Sequence, residues 1–553
     1  MSNVINNSVS ALIAYQRAID VASQNIANAN TDGYVRQRID LSTQFAPVDR
    51  VGLSTGGVKI DGVRREVNSF LIEQARTAAA GAGRAEVMAE QASAVSALLS
   101  STAIGPDDAL QDLKNAFNAL ATEPGSTRAR DTLLTEIDSF VDKFQTVDTR
   151  LRALDKGIND RLVNEADEVN LLLSQVATLN DKLFRSNITT GASPSHILDE
   201  RDRLLDKLSF KLGTTVTTVA NDSVTVKTQD GKLLVQGGAA ASLSIISGLH
   251  DPTDMRVSLL SADGVTFDQT QQLAGGMLGG LIDSRSQVTT LVRNELGRVA
   301  VGLSQALNAQ NRAGADLDGL TGAAGSDVLA VGAPAVFKRS TNSDPTATLS
   351  AAIANPNLLS SADYLLTKTT GGWEVKRADS GVVVATTGAG TSGSPLVFEG
   401  LQVSLASGTL STGDSFLIRP THEALAGLDR AIDNPRELAA RENSSVGVGD
   451  NKNALELLGV FDRRVLEDSK TSVLEATARL ANKVGAQARS AELSHDIQKL
   501  AVDEANRQRS DIFGVSLDEE AANLMRYQQA YQASASVIRA ANELFDALLG
   551  AVN

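Results

Sequence analysis

An α+β multidomain chain is what this sequence predicts: heptad helices from the N and C termini form a coiled-coil base, a long helical bundle forms a rod, and β-rich domains occupy the centre. Three patterns predict it. Apolar residues recur every seven places at both ends, a longer helical repeat runs through the interior, and two internal stretches switch to alternating, β-branched usage.

At the N terminus the repeat is Ile5, Leu12, Ile19 and Ile26. Such a repeat keeps a narrow stripe on one side of a slightly supercoiled helix, and the stripe is buried only against another helix. The helix from near Asn3 runs out in Asn28-Ala29-Asn30-Thr31-Asp32-Gly33, residues that favour turns and left-handed backbone. Glycines from Gly52 to Gly62 predict short strands and turns. An Ala-rich helix follows from about Ser69 to Leu99 and is stopped by Ile104-Gly105-Pro106. A shorter helix starts at Asp107 and ends at Glu123-Pro124-Gly125. The longest pattern is Leu133, Ile137, Phe140, Phe144, Val147, Leu151, Leu154, Ile158, Leu162, Val169, Val176 and Leu183, with Gly157 as a candidate break between two antiparallel helices. A further helix covers Ile197 to Leu212.

From Gly213 the usage becomes β-branched and alternating, as in Val224-Thr225-Val226-Lys227, with Asp230-Gly231 as a hairpin turn. Helical pattern returns over Leu278 to Asn311. A second β-rich region, roughly Asp327 to Arg419, holds the single tryptophan, Trp373. Helical periodicity is expected again near Ala424 and from Asn453 through Val473, Leu480, Val484 and Ile497. The terminal stripe is Leu517, Leu524, Tyr531, Ile538 and Phe545, thickened by Tyr527, Ala541 and Leu548. Ser516 with Glu519 forms an expected capping box and Gly550 an expected stop. The resulting division is a terminal coiled coil (1–40 with 512–553), a mainly helical rod (41–212 with 273–313 and 424–511), a β-rich segment (213–272) and an inserted outer β domain (314–423).

Chemistry is sparse. A net charge of -15 without a Lys/Arg run argues against nucleic acid or an anionic membrane as partner. No stretch approaches the ~18 apolar residues of a membrane span, and no basic-then-apolar secretory signal opens the sequence. With no cysteine, disulfides and thiol chemistry are excluded. Gly388-x-Gly390-x-x-Gly393 follows Val382-Val383-Val384, but a strand, Ser394 to Phe398, takes the place of the helix a dinucleotide site needs, so it reads as a hairpin loop. Asp316-x-Asp318-Gly319 lacks the remaining oxygen ligands of a calcium loop and reads as a turn. His196, His250, His422 and His495 show no metal-ligand spacing. Asp199, Glu200, Asp202 and Asp206 read as solvated partners of nearby arginine and lysine. No catalytic, cofactor or metal site is expected.

Specific residues carry a family resemblance. Ser23-Gln24-Asn25-Ile26-Ala27-Asn28-Ala29-Asn30-Thr31-Asp32-Gly33-Tyr34 resembles the N-terminal signature of bacterial flagellar rod, hook and hook-associated proteins, with Asn25, Ala27, Asn28, Thr31, Gly33 and Tyr34 as its marks. Leu524-Met525-Arg526-Tyr527-Gln528-Gln529-Ala530-Tyr531 is similar to their C-terminal one. Leu198 to Leu208, Gly276 to Arg285, Leu307 to Gly314 and Gly449 to Leu455 resemble the family of the first hook-associated protein. The resemblance implies a structural subunit at the junction of hook and filament, exported unfolded through the flagellar type III apparatus without a cleaved signal and polymerised at the hook tip. It implies no reaction and no cofactor. Its expected partners are further copies of itself, hook protein, the next hook-associated protein toward the filament, and a cytosolic export chaperone on the C-terminal helix. The alternatives are another axial protein, such as a hook protein or the third hook-associated protein, and a surface adhesin using the β-rich middle.

Overall fold

A computed structural model describes residues 2–31, 33–45, 55–190, 193–319, 327–385, 390–391, 393–444 and 446–552. Helix α1 (Ser2–Ala27) leads into a long hairpin of β1 (Gln37–Phe45) and β2 (Thr55–Arg65), paired antiparallel from Gln37 opposite Arg65. The hairpin lies along α1. Gly57 meets it at φ +93°, where a Cβ would sit 2.3 Å from Ser10 Oγ, and Val58 N–H donates to that same oxygen at 3.2 Å. The expected glycine-rich strands are therefore one arm of a single hairpin, whose tip lies outside the described residues. The expected division at residue 40 cuts through it.

Helix α2 (Ser69–Leu99) is capped by Asn68, whose side chain accepts from Phe70 N–H at 3.0 Å. After α3 (Pro106–Thr122) comes α4 (Thr127–Thr190), one unbroken helix of 64 residues, about 95 Å long at ~1.5 Å per residue. The candidate break at Gly157 does not occur. Gly157 faces open space, where glycine costs roughly 1 kcal/mol against alanine, while Leu151, Ile158 and Leu162 on the opposite side are fully buried. Helix α5 (Ser195–Leu212) then returns across α2, where Gly83 approaches the Phe210 carbonyl too closely for any side chain, 2.2 Å from an added Cβ.

Two small sheets follow. Strands β3 (Thr214–Thr218), β4 (Val224–Thr228), β5 (Leu233–Gln236) and β6 (Ala239–Ala240) form one; β7 (Ser242–Ile246), β8 (Arg256–Leu260) and β9 (Thr266–Asp268) form the other. Side chains of α4 satisfy their edges: Asn180 donates to the Val224 carbonyl at 2.8 Å, and Asn170 exchanges two bonds with the Leu243 backbone at 2.7 and 2.8 Å. The chain turns helical through α6 (Gly276–Ser284), a π turn (Arg285–Thr290) and α7 (Leu291–Ala313). The outer β unit, after the short β10 (Leu329–Ala330), comprises β11 (Ala335–Lys338), β12 (Thr348–Ile353), β13 (Tyr364–Thr369), β14 (Gly372–Arg377), β15 (Val383–Ala385), β16 (Leu396–Phe398), β17 (Leu401–Ser407) and β18 (Ser415–Arg419). A five-stranded sheet (β11-β18-β13-β14-β15) and a three-stranded one (β12-β17-β16) share a core of Trp373, Tyr364, Phe416 and Phe398. Its entrance and exit are adjacent, Ala335 pairing with Arg419. Strand β19 (Asp429–Arg430) pairs back to β10, and α8 (Lys452–Gly459), α9 (Val473–Phe513) and α10 (Leu517–Val552) complete the chain.

The helix expected from Ala424 is absent. Ala424, Leu425, Leu428, Ile432 and Leu438 are fully buried, but in turns, β19 and a short 3₁₀ segment over Pro435–Glu437. Pro435 cannot continue a helix, and the irregular carbonyls find a substitute donor in Arg130. This fully buried residue donates to the carbonyls of Pro124 at 2.7 Å, Pro435 at 3.2 Å and Leu438 at 2.5 Å, and burial pushes its pKa down to about 10. Arg130→Ala would strand two buried acceptors, the Pro124 and Leu438 carbonyls, at ~1–3 kcal/mol each. A loss on the order of 3 kcal/mol or more is expected in urea unfolding of the first core; an unshifted midpoint would show that the loop does not depend on it.

Three apolar cores result. One joins α3, the first half of α4, α7, α8 and the first half of α9; the second joins the rest of α4 with α5, α6 and the two small sheets; the third fills the outer β unit. Helix α4 threads the first two, which is why one repeat runs so far.

Candidate assembly surface

Helices α1 and α10 lie antiparallel within one chain. Tyr15 stacks on Tyr527 with centroids 6.5 Å apart, and ten residues further along α1 Asn25 meets Glu520. The side of α1 that is buried is Ala14, Ala18, Val21, Ala22 and Asn25, and on α10 it is Glu520 and Ala541. This seam consists largely of small and polar residues. The expected heptad residues flank it: Ile5, Leu12, Ile19, Ile26, Leu524, Tyr527 and Ile538 are half-buried. Leu517, Tyr531 and Phe545 are exposed (52%, 37% and 49%), as are Met525, Val537 and Leu544 beside them, while the Leu548 side chain lies outside the described residues. These large apolar side chains stay exposed along a helix that is already paired with α1.

A polar node locks the base of the pair. Asn25 uses its whole amide: Nδ2 donates to the Gln37 carbonyl (2.9 Å) and to Glu520 Oε2 (3.0 Å), while Oδ1 accepts from Tyr34 O–H (2.9 Å) and Gln37 N–H (3.0 Å). Arg36 Nε donates to Glu520 Oε1 at 2.9 Å and its Nη1 to Glu519 Oε2 at 2.9 Å. Burial, with Asp199 and Glu520 nearby, pushes the Tyr34 phenol up to about 12, so it remains a donor at physiological pH. Asn28, Thr31 and Gly33 build the turn that delivers Tyr34: Thr31 N–H donates to the Asn28 carbonyl at 2.9 Å, Tyr34 N–H to the Thr31 carbonyl at 3.1 Å, and Gly33 supplies φ +77°. Ala27 is exposed.

The capping box expected at Ser516 is half formed. Glu519 N–H donates to Ser516 Oγ at 3.4 Å, but the Glu519 carboxylate is taken by Arg36. Gly550 does not end α10, which runs to Val552. Arg36, Gln37 and Glu520, at the centre of the node, carried no motif; the adjacent pair Glu519-Glu520 opposite a lone arginine was the available signal.

A second correction concerns α5. Asp199, Asp202 and Asp206 are not solvated partners but line one face of α5 in a ladder of charges between elements. Arg65 contacts Asp199 and Asp202, each at 2.8 Å; Arg76 reaches Asp206 at 2.9 Å and Asp202 at 3.5 Å; Arg509 closes on Asp206 at 2.9 Å. Burial raises the Asp202 pKa, but Arg65, Arg201 and Arg76 outweigh it and hold the carboxyl below its usual range; at Asp199 burial wins and pushes the value up to about 6. Glu200 alone of the four is exposed.

In the glycine-rich loop Gly388 lies outside the described residues, Gly390 packs on the Trp373 indole at φ +65°, and β16 follows, so no helix terminus is offered to a phosphate. Asp318 is engaged by Arg436, and the Asp316 carboxylate accepts from Asp318 N–H at 2.9 Å. Among the described residues no group of three or more His, Asp or Glu is arranged to hold a metal, and no helix is long and apolar enough to cross a membrane.

Comparison with known proteins agrees at each level. Residues 92–327 match the family model described as flagellar hook-associated protein FlgK helical domain, and 337–420 the flagellar hook-associated protein 1, D2-like domain. Residues 5–34 match the flagella basal body rod protein and 512–551 the flagellar basal body rod FlgEFG protein C-terminal model, the two segments that pair as α1 and α10. The solved flagellar hook junction protein FlgK from Burkholderia pseudomallei shares the fold, with TM-score 0.71 and 21% identity over 79% of this chain and 99% of that one. Flagellar hook-associated protein 1 of Escherichia coli (strain K12) is 30% identical, covering 99% of this chain and 100% of its own. That of Salmonella typhimurium (strain LT2) is 32% identical with the same coverage. Matched in its ends, its interior and its full length, the chain belongs to the flagellar hook-associated protein 1 family.

Proposed function

We propose that this chain is a structural subunit of the junction between flagellar hook and filament, polymerising through its paired terminal helices. The family is one of flagellar structural proteins, not enzymes, and it assembles with itself and with other axial components. The observation that carries the reading is that Leu517, Met525, Tyr531, Val537, Leu544 and Phe545 stay exposed on α10 although α10 is already paired with α1. Together with Ile5, Leu12, Ile19, Ile26, Leu524, Tyr527, Ile538 and Leu548 they form the contact to neighbouring copies, to hook protein on one side and to the next hook-associated protein on the other. By the antiparallel register, Ala541 falls opposite the start of α1, so Leu544 and Phe545 overhang it. A cytosolic export chaperone covers that overhang before assembly. Export runs unfolded through the flagellar type III apparatus, which a cysteine-free chain suits because no disulfide can obstruct threading. The outer β unit, 335–419, faces away from the axis.

Deleting the gene and imaging the cells by electron microscopy tests the reading. Bare hooks, with filament protein shed into the medium, are expected; normal filaments would refute it.

A further inference from the structure

We infer that the outer β unit is locked to the helical body in one orientation by a left-handed turn, Glu467–Ser469, whose backbone is gripped by Asn357 of the unit, so that unit and body move together. The default for such a unit is to swing. Its two chain crossings lie side by side, Ala335 opposite Arg419, and among the described residues of the body helices only Val301 of α7 enters its apolar core. Units joined this narrowly, without a large apolar interface, move relative to one another as a rule.

What opposes the swing is a strained segment. Glu467, Asp468 and Ser469 follow one another at φ +54°, +57° and +62°, a left-handed turn built without glycine. L residues avoid that region because Cβ crowds the following carbonyl oxygen, and a run of them persists only where the surroundings over-determine it. Two sets of partners do so here. On the body side the Glu467 carboxylate accepts from Arg298 of α7 at 3.0 Å, from Arg479 of α9 at 3.1 Å and from the Thr471 hydroxyl at 2.6 Å. On the other side every bond comes from one residue. Asp468 N–H donates to the Asn357 carbonyl and Ser469 N–H to Asn357 Oδ1, both at 2.7 Å, while Asn357 Nδ2 donates to Ser469 Oγ at 2.7 Å. Asn357 is itself the middle of a 3₁₀ segment, Pro356–Leu358, where its N–H donates to Asn355 Oδ1 at 3.1 Å. Two further footings stand on other elements. Asn294, one turn before Arg298 on α7, donates to Asp363 Oδ1 at 3.0 Å and to the Ser361 carbonyl at 3.1 Å. In the turn between β7 and β8, Asp251 accepts from Arg419 at 2.5 Å and the Leu249 carbonyl accepts from Ser340 N–H at 3.0 Å. Contacts on three elements resist rotation about the crossing strands, which a single footing would not. Force applied to the outer unit then passes into α7 and the start of α9 instead of being lost in a swing.

The cysteine-free sequence allows a direct test on the full chain. Spin labels at Thr370→Cys, in the turn between β13 and β14, and Asn164→Cys in α4, both exposed, span the joint, and a second pair at Gln111→Cys in α3 and Asn164→Cys stays within the body. Pulsed electron paramagnetic resonance should give a narrow distance distribution for both pairs in the parent. Asn357→Ala should at least double the width of the spanning pair and leave the body pair unchanged. Should that variant not fold, seen as broadening of the body pair as well, Glu467→Gln removes the charge that Arg298 and Arg479 share while keeping the shape, and should give the same selective broadening. A spanning distribution as narrow in a folded variant as in the parent, or already broad in the parent, would overturn the lock.

Discussion

Cells whose only copy of this protein carries Tyr531→Asp with Phe545→Asp are expected to shed the exported copies into the medium and fail to retain filaments. Both side chains are exposed in the isolated chain, 37% and 49%, so the substitutions should change its own stability by no more than ~0.5 kcal/mol each. In a polymer that buries these α10 side chains, each copy would instead bring two carboxylates into an apolar contact, at several kcal/mol per unpaired charge. Even a net ~3 kcal/mol lowers occupancy more than a hundredfold, at ~1.4 kcal/mol per factor of ten. The pair Tyr531→Phe with Phe545→Leu keeps the apolar surface and should assemble. Incorporation is read by quantifying the protein in purified hook tips beside its helicity in solution; undiminished incorporation of the aspartate variant would remove this face from the assembly contacts.

The course of the helices was legible from sequence because large aliphatic and aromatic residues recur where cores are deep. Phe140, Phe144, Val147 and Leu151, each at most 1% exposed, are also the residues that announce α4. The seam between α1 and α10 was not legible, because apart from Val21 its buried residues are Ala14, Ala18, Ala22 and Ala541 with the polar Asn25 and Glu520, which carry little hydrophobic signal. The conspicuous heptads lie beside the seam, half-buried or exposed. Nor could periodicity reveal that Asp199, Asp202 and Asp206 face arginines from three other elements, because every partner is more than a hundred residues away in sequence except Arg201. The buried loops from Ala424 to Leu438 read as helix for a related reason: their apolar content reports burial, and donors distant in sequence, Arg130 and Gln145 among them, make irregular backbone tolerable there. Identity, by contrast, sat in short local motifs, the turn from Asn25 to Tyr34 above all, where Gly33 and the Asn25 amide are each required by a specific geometry.

In hydrogen exchange on the purified monomer, amides of α1 and α10 around Ala18, Val21, Ala530 and Ser534 are expected to exchange at least ~10³ times faster than those around Phe144, Val147 and Leu151 in α4. The seam explains the gap. A buried methyl contributes ~0.8 kcal/mol, against ~1.5–3 kcal/mol for a buried Val, Leu or Phe, and of the α10 side chains only Glu520 and Ala541 are buried among the described ones. In proteins most helical stability comes from tertiary packing rather than from propensity. The node of Asn25, Arg36 and Glu520 anchors one end, so protection should fall from that end toward Ser2 and Val552. An opening free energy ~4 kcal/mol below that of α4 corresponds to the stated factor, at ~1.4 kcal/mol per decade. Termini that open this readily suit the proposed assembly, because each attachment would order them against several neighbours at once and make growth depend on a template. In assembled material the same amides should slow toward the α4 rate. Equal protection of α1, α10 and α4 in the monomer would show that the pair is stable alone, and the coupling of terminal order to assembly would have to be given up.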